Sequence, residues 1–495
     1  MYRRLKTKIL LCIGKYNSLS VAVKASLWFA ICSIVQKGIS VITMPIFTRL
    51  MSTEEFGQYN IFLTWYNIFL LIITLNVHSE IFNKGLIDNN DKKNEFTANQ
   101  TGLLIFLSLV SILLYLPFRG YINSWIGMPT FLVIILVLEI LGASIIALWF
   151  ARKRFDFEYG IIVKLTLAMS LITPLIGVIS VLLSSYKAEA KIISNAIVPV
   201  IVAIILLFVI KKYGALFGHW DWWKKSVIAA IPLLPHYLSL VLLNQSDKLM
   251  INAFCGAEKA AIYSVAHSAG LLMTIVNNSI NSSFVPWAYN KMKLSYGEGI
   301  KSAASKLLVV VFIANISLIL IAPEAISLLA PSQYAEAVYC LVPIAISVYF
   351  YFTYTMFVDI EIYYGANHFV ALASIVAAGL NLLLNYIFIP KFGYLAAGYT
   401  TLVSYFFTMV MHYVFLKWTL AKNKFTNVLF SKLHIILFGV LLIVSSAIIA
   451  GLYSYTYVRY LVFSAFLVYG YRNRNKYLIN KQSWHWSKFW GWAVT

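Results

Sequence analysis

The chain is a succession of long apolar runs separated by short polar gaps. A helix that crosses a bilayer needs roughly 20 mostly apolar residues, and fourteen runs approach that length. The pattern predicts six spans over about 27–50, 59–82, 101–117, 131–150, 160–184 and 192–210. A basic, aromatic connector, KKYGALFGHWDWWKK, leads to six more over about 227–253, 262–287, 305–329, 338–362, 369–389 and 394–415. Two final spans, 433–452 and 457–471, precede a basic, Trp-rich tail. The expected fold class is therefore an all-α polytopic membrane protein of about 14 transmembrane helices, in two pseudo-symmetric six-helix lobes plus two C-terminal helices. Its expected parts are an N-terminal segment (1–26), a first lobe (27–212), a connector (213–226), a second lobe (227–416), the last helix pair (433–471) and the tail (472–495).

Charge tests this order of spans, because basic residues collect on the cytoplasmic side and one missed helix would scramble the alternation. With the N-terminus inside, 30 of the 39 Lys and Arg fall in inside segments or at inner span ends. Both termini are expected in the cytoplasm. The split also disposes of nucleic-acid binding, which a net charge of +21 would suggest in a soluble domain. At 61% apolar and 12% charged residues the chain lies far from soluble proteins, where about a quarter of residues are charged. Cys12, Cys32, Cys255 and Cys340 are scattered without metal-ligand spacing, so neither a metal site nor a disulfide framework is expected. The N-terminal stretch is basic with a short apolar run and no small-x-small cleavage site; it is expected to be retained, along the inner surface.

One stretch, 231–266, starts the pattern again. It carries Pro232, Pro235 and His236, then the adjacent Asp247 and Lys248. Placing RLMSTEEFGQYN beside AFCGAEKAAIYS puts Glu54 on Glu258 and Tyr59 on Tyr263 at a single offset of 204 residues. Six spans per copy return the second unit in the first one's orientation, a parallel repeat about an axis along the membrane normal. Pro45, Pro174, Pro199, Pro286 and Pro343 also fall in or near spans, where a missing N–H and a steric clash bend a helix. Bends in spans one, seven and eight are expected to accompany opening at alternate faces.

The Asp247-LysLeuMetIle run, Gly256, AlaIleTyrSer at 261–264, and above all 364–405, with Asn381, Asn385, Ile389-Pro390, Gly393 and Gly398, resemble a known family. So does the first span, ending ProIlePheThrArgLeu at 45–50 before GluPheGly at 55–57. By these residues the chain resembles the polysaccharide-transporter branch of the multidrug/oligosaccharidyl-lipid/polysaccharide superfamily, which contains O-antigen and capsule repeat-unit flippases. The resemblance covers nearly the whole chain. It implies paired six-helix bundles, alternating access, and transfer of an undecaprenyl-diphosphate-linked oligosaccharide across the bacterial cytoplasmic membrane. It implies proton or sodium coupling without any other cofactor, membrane lipids as surroundings, and a polysaccharide polymerase and chain-length regulator as partners.

Ionisable groups inside spans cost about 3 kcal/mol at helix centre and so face protein or water. Lys37 lies about 15 Å into the first span at 1.5 Å per residue. Either it attracts an anionic headgroup in a central cavity or a neighbouring acid neutralises it. Glu139 is the comparable acid of the fourth span: it pairs with Lys37 in a plain structural salt bridge, or exchanges protons as a coupling group. Asp247 and Lys248 point about 100° apart on a helix; substrate contact competes with a link between helices. His236 is a coupling candidate or a hydrogen-bonded core histidine. Arg49, a further substrate-binding candidate, and Asp359, a further coupling candidate, stand with Glu361, His267 and His412 near span ends, where an interfacial location explains them. Arg152, Lys153 and Arg154 are candidates for headgroup contact, though topology alone would place them there. Trp484, Trp486, Trp490 and Trp492 with Lys488 suit a membrane interface.

Three functions compete. The first is a lipid-linked oligosaccharide flippase. The second is a drug antiporter or peptidoglycan-precursor flippase of the same fold, and Lys37 leans away from a drug site towards an anionic lipid. The third, a membrane glycosyltransferase or O-antigen polymerase, needs a sizeable extramembrane loop with acid–base groups; gaps such as 119–129 and 330–337 are too short, so no enzyme is expected.

Overall fold

The computed structural model describes residues 20–295 and 297–472, and among them every regular element is helical. In chain order the helices are α1 (Val21–Leu50), α2 (Thr53–Thr74), α3 (Glu80–Asp88), α4 (Lys93–Tyr115), α5 (Arg119–Ile126) and α6 (Thr130–Phe155). Then come α7 (Tyr159–Leu183), α8 (Lys187–Lys211), α9 (Trp220–Ala230), α10 (Leu234–Cys255), α11 (Ala257–Ser295) and α12 (Ile300–Leu320). The last are α13 (Ala322–Leu329), α14 (Ala337–Tyr363), α15 (Asn367–Phe392), α16 (Leu395–Lys422), α17 (Lys432–Gly451) and α18 (Thr456–Arg472). Thirteen stretches among the described residues are long and apolar enough to cross a membrane. The chain is a multi-pass membrane protein. The expected fourteenth span, α18, has only 17 residues, and the tryptophans of the tail lie outside the described residues.

Most span boundaries shift by a few residues, and four departures have an identifiable local reason. Span two ends at Thr74 rather than near 82, because Leu75 and Asn76 take left-handed backbone (φ 50° and 54°). Thr74 Oγ1 accepts from the Asn76 N–H at 3.2 Å, and Ser79 Oγ donates to the Asn76 carbonyl at 3.1 Å, so side chains serve groups that a continued helix would have paired. Span three starts at Lys93 instead of 101: its polar first turns, containing the buried Asn99 and Gln100, hide against protein. Span seven is three pieces, α9, a 3₁₀ turn Ile231–Leu233 and α10, because Pro232 and Pro235 supply no N–H. Span nine stops at Leu320; Pro323 then opens the separate short helix α13, where a missing N–H costs nothing.

Contacts divide the chain into two compact units. The first holds the described part of Met1–Thr43 with Phe69–Leu234, and the second Met44–Ile68 with the described part of Pro235–Asn480. Two of the divisions lie beside prolines, Pro45 inside α1 and Pro235 in the first turn of α10.

In the first unit α6 packs on α4 and α8, around Ile145, Ile146, Trp149, Leu206 and Ile210 on one side and Phe82, Phe96, Leu104 and Leu148 on another. In the second, α14 is the central helix, covered by α11, α12, α16 and α17. Because lipid is as apolar as a leucine, such helices associate by close packing rather than by escape from water. Gly102 of α4 shows the consequence in the first unit, since a Cβ there would stand 1.8 Å from the Leu216 carbonyl oxygen. Gly57 does so in the second, 2.0 Å from the Ala257 carbonyl oxygen. Helices α2 and α11 thus begin at repeat-related residues, Thr53 and Ala257, and touch near those starts.

Candidate functional site

Asp247 of α10 is 2% exposed and sits among polar side chains from three other helices. Asn385 Nδ2 of α15 donates to its Oδ1 at 2.6 Å, and Thr401 Oγ1 of α16 donates to Oδ2 at 2.7 Å. The Tyr263 hydroxyl of α11 donates to the same Oδ2. Behind this shell Asn385 Nδ2 also reaches Asn381 Oδ1 at 3.1 Å, Ser246 Oγ donates to Asn381 Oδ1 at 3.1 Å, and Thr400 Oγ1 donates to Asn385 Oδ1. A buried carboxylate is tolerable here because its lone pairs are met by oriented donors. Among the described residues Asp247 makes no ion pair; the neighbouring Lys248, half-buried, turns its Nζ to Gln245 Oε1 at 3.2 Å. The two asparagines and the acid–base step quoted from the sequence therefore meet in one cluster, but only the acid joins it.

The same unit holds other candidates. His236 Nδ1 lies 2.8 Å from Ser374 Oγ, the arrangement of a hydrogen-bonded interior histidine. Glu361 and His412, expected at an interface, are instead 0% and 2% exposed, with His412 Nδ1 3.0 Å from Glu361 Oε2. A ring stack runs from His412 to Tyr354 and on to Tyr405, whose hydroxyl donates to Asn244 Oδ1 at 3.1 Å. Asp359 is half-buried with Oδ2 unpartnered, and His267 stacks on Tyr263 with Nδ1 unpartnered. Arg49 is exposed at the end of α1, with Nη1 donating to the Pro45 carbonyl at 3.0 Å and Nη2 to the Ser327 carbonyl at 3.1 Å.

In the first unit Glu139 of α6 is 4% exposed. Asn195 Nδ2 of α8 donates to its Oε1 at 2.8 Å, while Oε2 has no partner. Lys191, also 4% exposed, lies one turn before Asn195 on the same helix. Among the described residues Glu139 makes no ion pair with Lys37; its hydrogen-bond partner is Asn195. The sequence offered a signal for this, since Lys191 and Asn195 are spaced one helical turn apart at the start of an apolar run. Lys37, in the middle of α1, is exposed and makes no ion pair among the described residues.

Of the basic cluster, Arg152 is 5% exposed and held by Asn94 Oδ1 (2.8 Å to Nη2) and by Asp156. Lys153 pairs with Glu158 at 2.9 Å, and Arg154 stays exposed. Sequence reasoning also passed over Arg459 of α18, which is 1% exposed and grips Glu324 of α13 through two bonds of 2.9 and 2.8 Å. Among the described residues no three His, Cys, Asp or Glu side chains gather as metal ligands.

Helices long and apolar enough to span a membrane that nonetheless carry buried carboxylates and an exposed mid-span lysine define a polytopic membrane protein with a polar interior. The family described as "Polysaccharide biosynthesis protein" matches residues 22–290, more than half of the chain, and the chain belongs to it. Its fold is that of the multidrug/oligosaccharidyl-lipid/polysaccharide superfamily. The structure is similar to that of the lipid II flippase MurJ in an inward closed conformation, with a TM-score of 0.64 at 14% identity, covering 86% of this chain and 98% of that one. It is also similar to an inward-facing multidrug resistance MATE transporter (TM-score 0.61, 12% identity, 82% and 100% covered). An outward-facing MATE transporter gives a TM-score of 0.55 at 13% identity, with 82% and 97% covered. Comparison with curated protein sequences finds no match. The chain is thus a multi-pass membrane protein of the polysaccharide-biosynthesis family with the fold of these transporters.

Proposed function

We propose that the protein flips an undecaprenyl-diphosphate-linked oligosaccharide repeat unit, of O-antigen or another surface polysaccharide, across the bacterial cytoplasmic membrane with both termini inside. The observation that carries this reading is Lys37, exposed in mid-span and unpaired among the described residues. An ammonium in hydrocarbon costs about 3 kcal/mol even on insertion scales, so its exposed face needs water or an anion rather than lipid tails. A diphosphate supplies that anion, and the Lys37 point charge accommodates several poses of it. Family membership supports a glycan cargo.

Coupling is by a proton or sodium ion. The Asp247 cluster suits either: its side-chain oxygens, from Asp247, Asn381, Asn385, Thr400 and Thr401, are hard ligands of the kind such cations take. Glu139, His236 and Asp359 remain coupling candidates of lesser ligand count, and Asp247 contributes to coupling rather than to substrate contact.

Deleting the gene in a host that makes surface polysaccharide is expected to leave the lipid-linked repeat unit in the inner leaflet. Lys37→Ala should reduce export about tenfold at unchanged protein level, the loss of one charge-assisted contact, and Lys37→Arg should restore part of it. Unchanged export in Lys37→Ala overturns the headgroup role. Normal outward delivery with defective chain extension in the deletion strain overturns the flippase reading itself.

A further inference from the structure

A pocket of about 440 Å³ lies in the second unit where the end of α1, the starts of α2 and α11 and the segment before α14 come together. Arg49, Ser52, Thr53, Glu258 and Gln333 line it. Its volume is within the range of small-molecule sites. The distribution of basic residues assigns this end of the unit to the outer side of the membrane.

Its charges are set for a ligand with both donors and acceptors. Arg49 and Glu258 share the lining, yet they form no ion pair, because the Arg49 guanidinium is turned to the Pro45 and Ser327 carbonyls. Arg49 has five N–H groups, and those carbonyls leave others for the pocket. Glu258 is an acceptor in the same lining, two residues after Gly256, whose φ of +89° lets the chain turn into α11. Glu55 does not compete, since it caps α2 by accepting the Ser52 N–H at 2.7 Å. Beside the pocket Tyr334 is fully buried with its hydroxyl unpartnered, and burial, with the charge of Glu258 adding to it, pushes the phenol above its ordinary range.

We propose that this pocket is a carbohydrate subsite that holds one neutral sugar ring. A sugar hydroxyl both donates and accepts, so vicinal hydroxyls bridge Arg49 and Glu258, with the Gln333 amide and the Ser52 and Thr53 hydroxyls completing the set. A multiply charged anion is disfavoured by Glu258, and an apolar ligand would strand both charges. The subsite rests on the flippase reading for its biological cargo and gives that cargo a contact separate from Lys37.

Saturation-transfer NMR on the full chain in detergent, with methyl glycosides of the common neutral hexoses and N-acetylhexosamines as probes and galacturonate as charged comparator, tests it. At least one neutral glycoside is expected to take up saturation above empty micelles. Glu258→Gln and Gln333→Ala, both in exposed residues, should each weaken that signal about tenfold, the loss of a hydrogen bond to the ring, at unchanged thermal unfolding. Absence of any neutral-glycoside signal, or a signal that survives both variants, overturns the subsite. So does a stronger galacturonate signal that Gln333→Ala abolishes. A wild-type chain that exports repeat units but binds no glycoside removes the subsite alone, whereas one that binds glycosides without delivering repeat units removes the flippase reading alone.

Discussion

Each unit buries a carboxylate within its spans, and the two, Asp247 and Glu139, are held in opposite ways. Asp247 has both oxygens occupied by donors from α11, α15 and α16, with no cation paired to it among the described residues. Glu139 has one oxygen bonded to Asn195, the other unpartnered, and a buried lysine nearby. The first is met by many dipoles and the second by one amide, with the lysine close by. A dipole shell is directional and binds four helices together; a nearby charge is not, and leaves a free lone pair.

Matched amide substitutions test this contrast. Asp247→Asn carries the largest expected effect, because the new amide group faces hydroxyl and amide donors and leaves at least one of them unpaired. The expected loss is about 3 kcal/mol of stability, the upper range for an orphaned buried donor, read as a fall in melting temperature of the purified protein. Any stabilisation by sodium over potassium should vanish with it. Glu139→Gln keeps the acceptor for Asn195 and places its amide where no donor opposes it, so the expected loss is about 1 kcal/mol. Equal losses in the two variants would abolish the distinction.

The smallest effect belongs to a pair at the surface end of α6. Burial alone would raise the Asp156 carboxyl, but hydrogen bonds and charge from Lys93 and Arg152 hold it below its usual range. A depressed folded pKa contributes stability that is present above the unfolded value of about 3.9 and is lost as pH falls through the folded one. Asp156→Asn should therefore melt below wild type at pH 6, by less than ~1 kcal/mol, and the two should converge near the acid limit. A gap that persists unchanged in acid would show that Asp156 acts through shape rather than charge.

Much of the fold is legible in the chain because spanning helices obey a local rule, a run of apolar residues of sufficient length. The departures occur where polar residues carry the helix. The polar start of α4 reads as a loop until protein covers Asn99 and Gln100, and α2 stops before Leu75, short of the polar Asn76, His78, Ser79 and Glu80 that the expected span included. The site was legible by residue type, not by role. Asp247, Asn381 and Asn385 stand out in the sequence, yet nothing local shows that Asn385, 138 residues away, donates to Asp247. Glu139 is equally visible, and its companion Lys191 is 52 positions later in a different span.

By itself, then, the sequence determined the order of the spans, the prolines beside which the two units divide, and the presence of charges that lipid would not accept. Hydrophobicity and backbone chemistry are properties of consecutive residues, and consecutive residues are what a sequence displays. Tertiary structure decided which charges are satisfied and how: Asp247 by a shell of dipoles, Glu139 by the amide of Asn195, Arg49 by carbonyls of its own helix and of α13. A buried polar group is paid for only by partners within hydrogen-bond reach, and packing alone sets which residues those are.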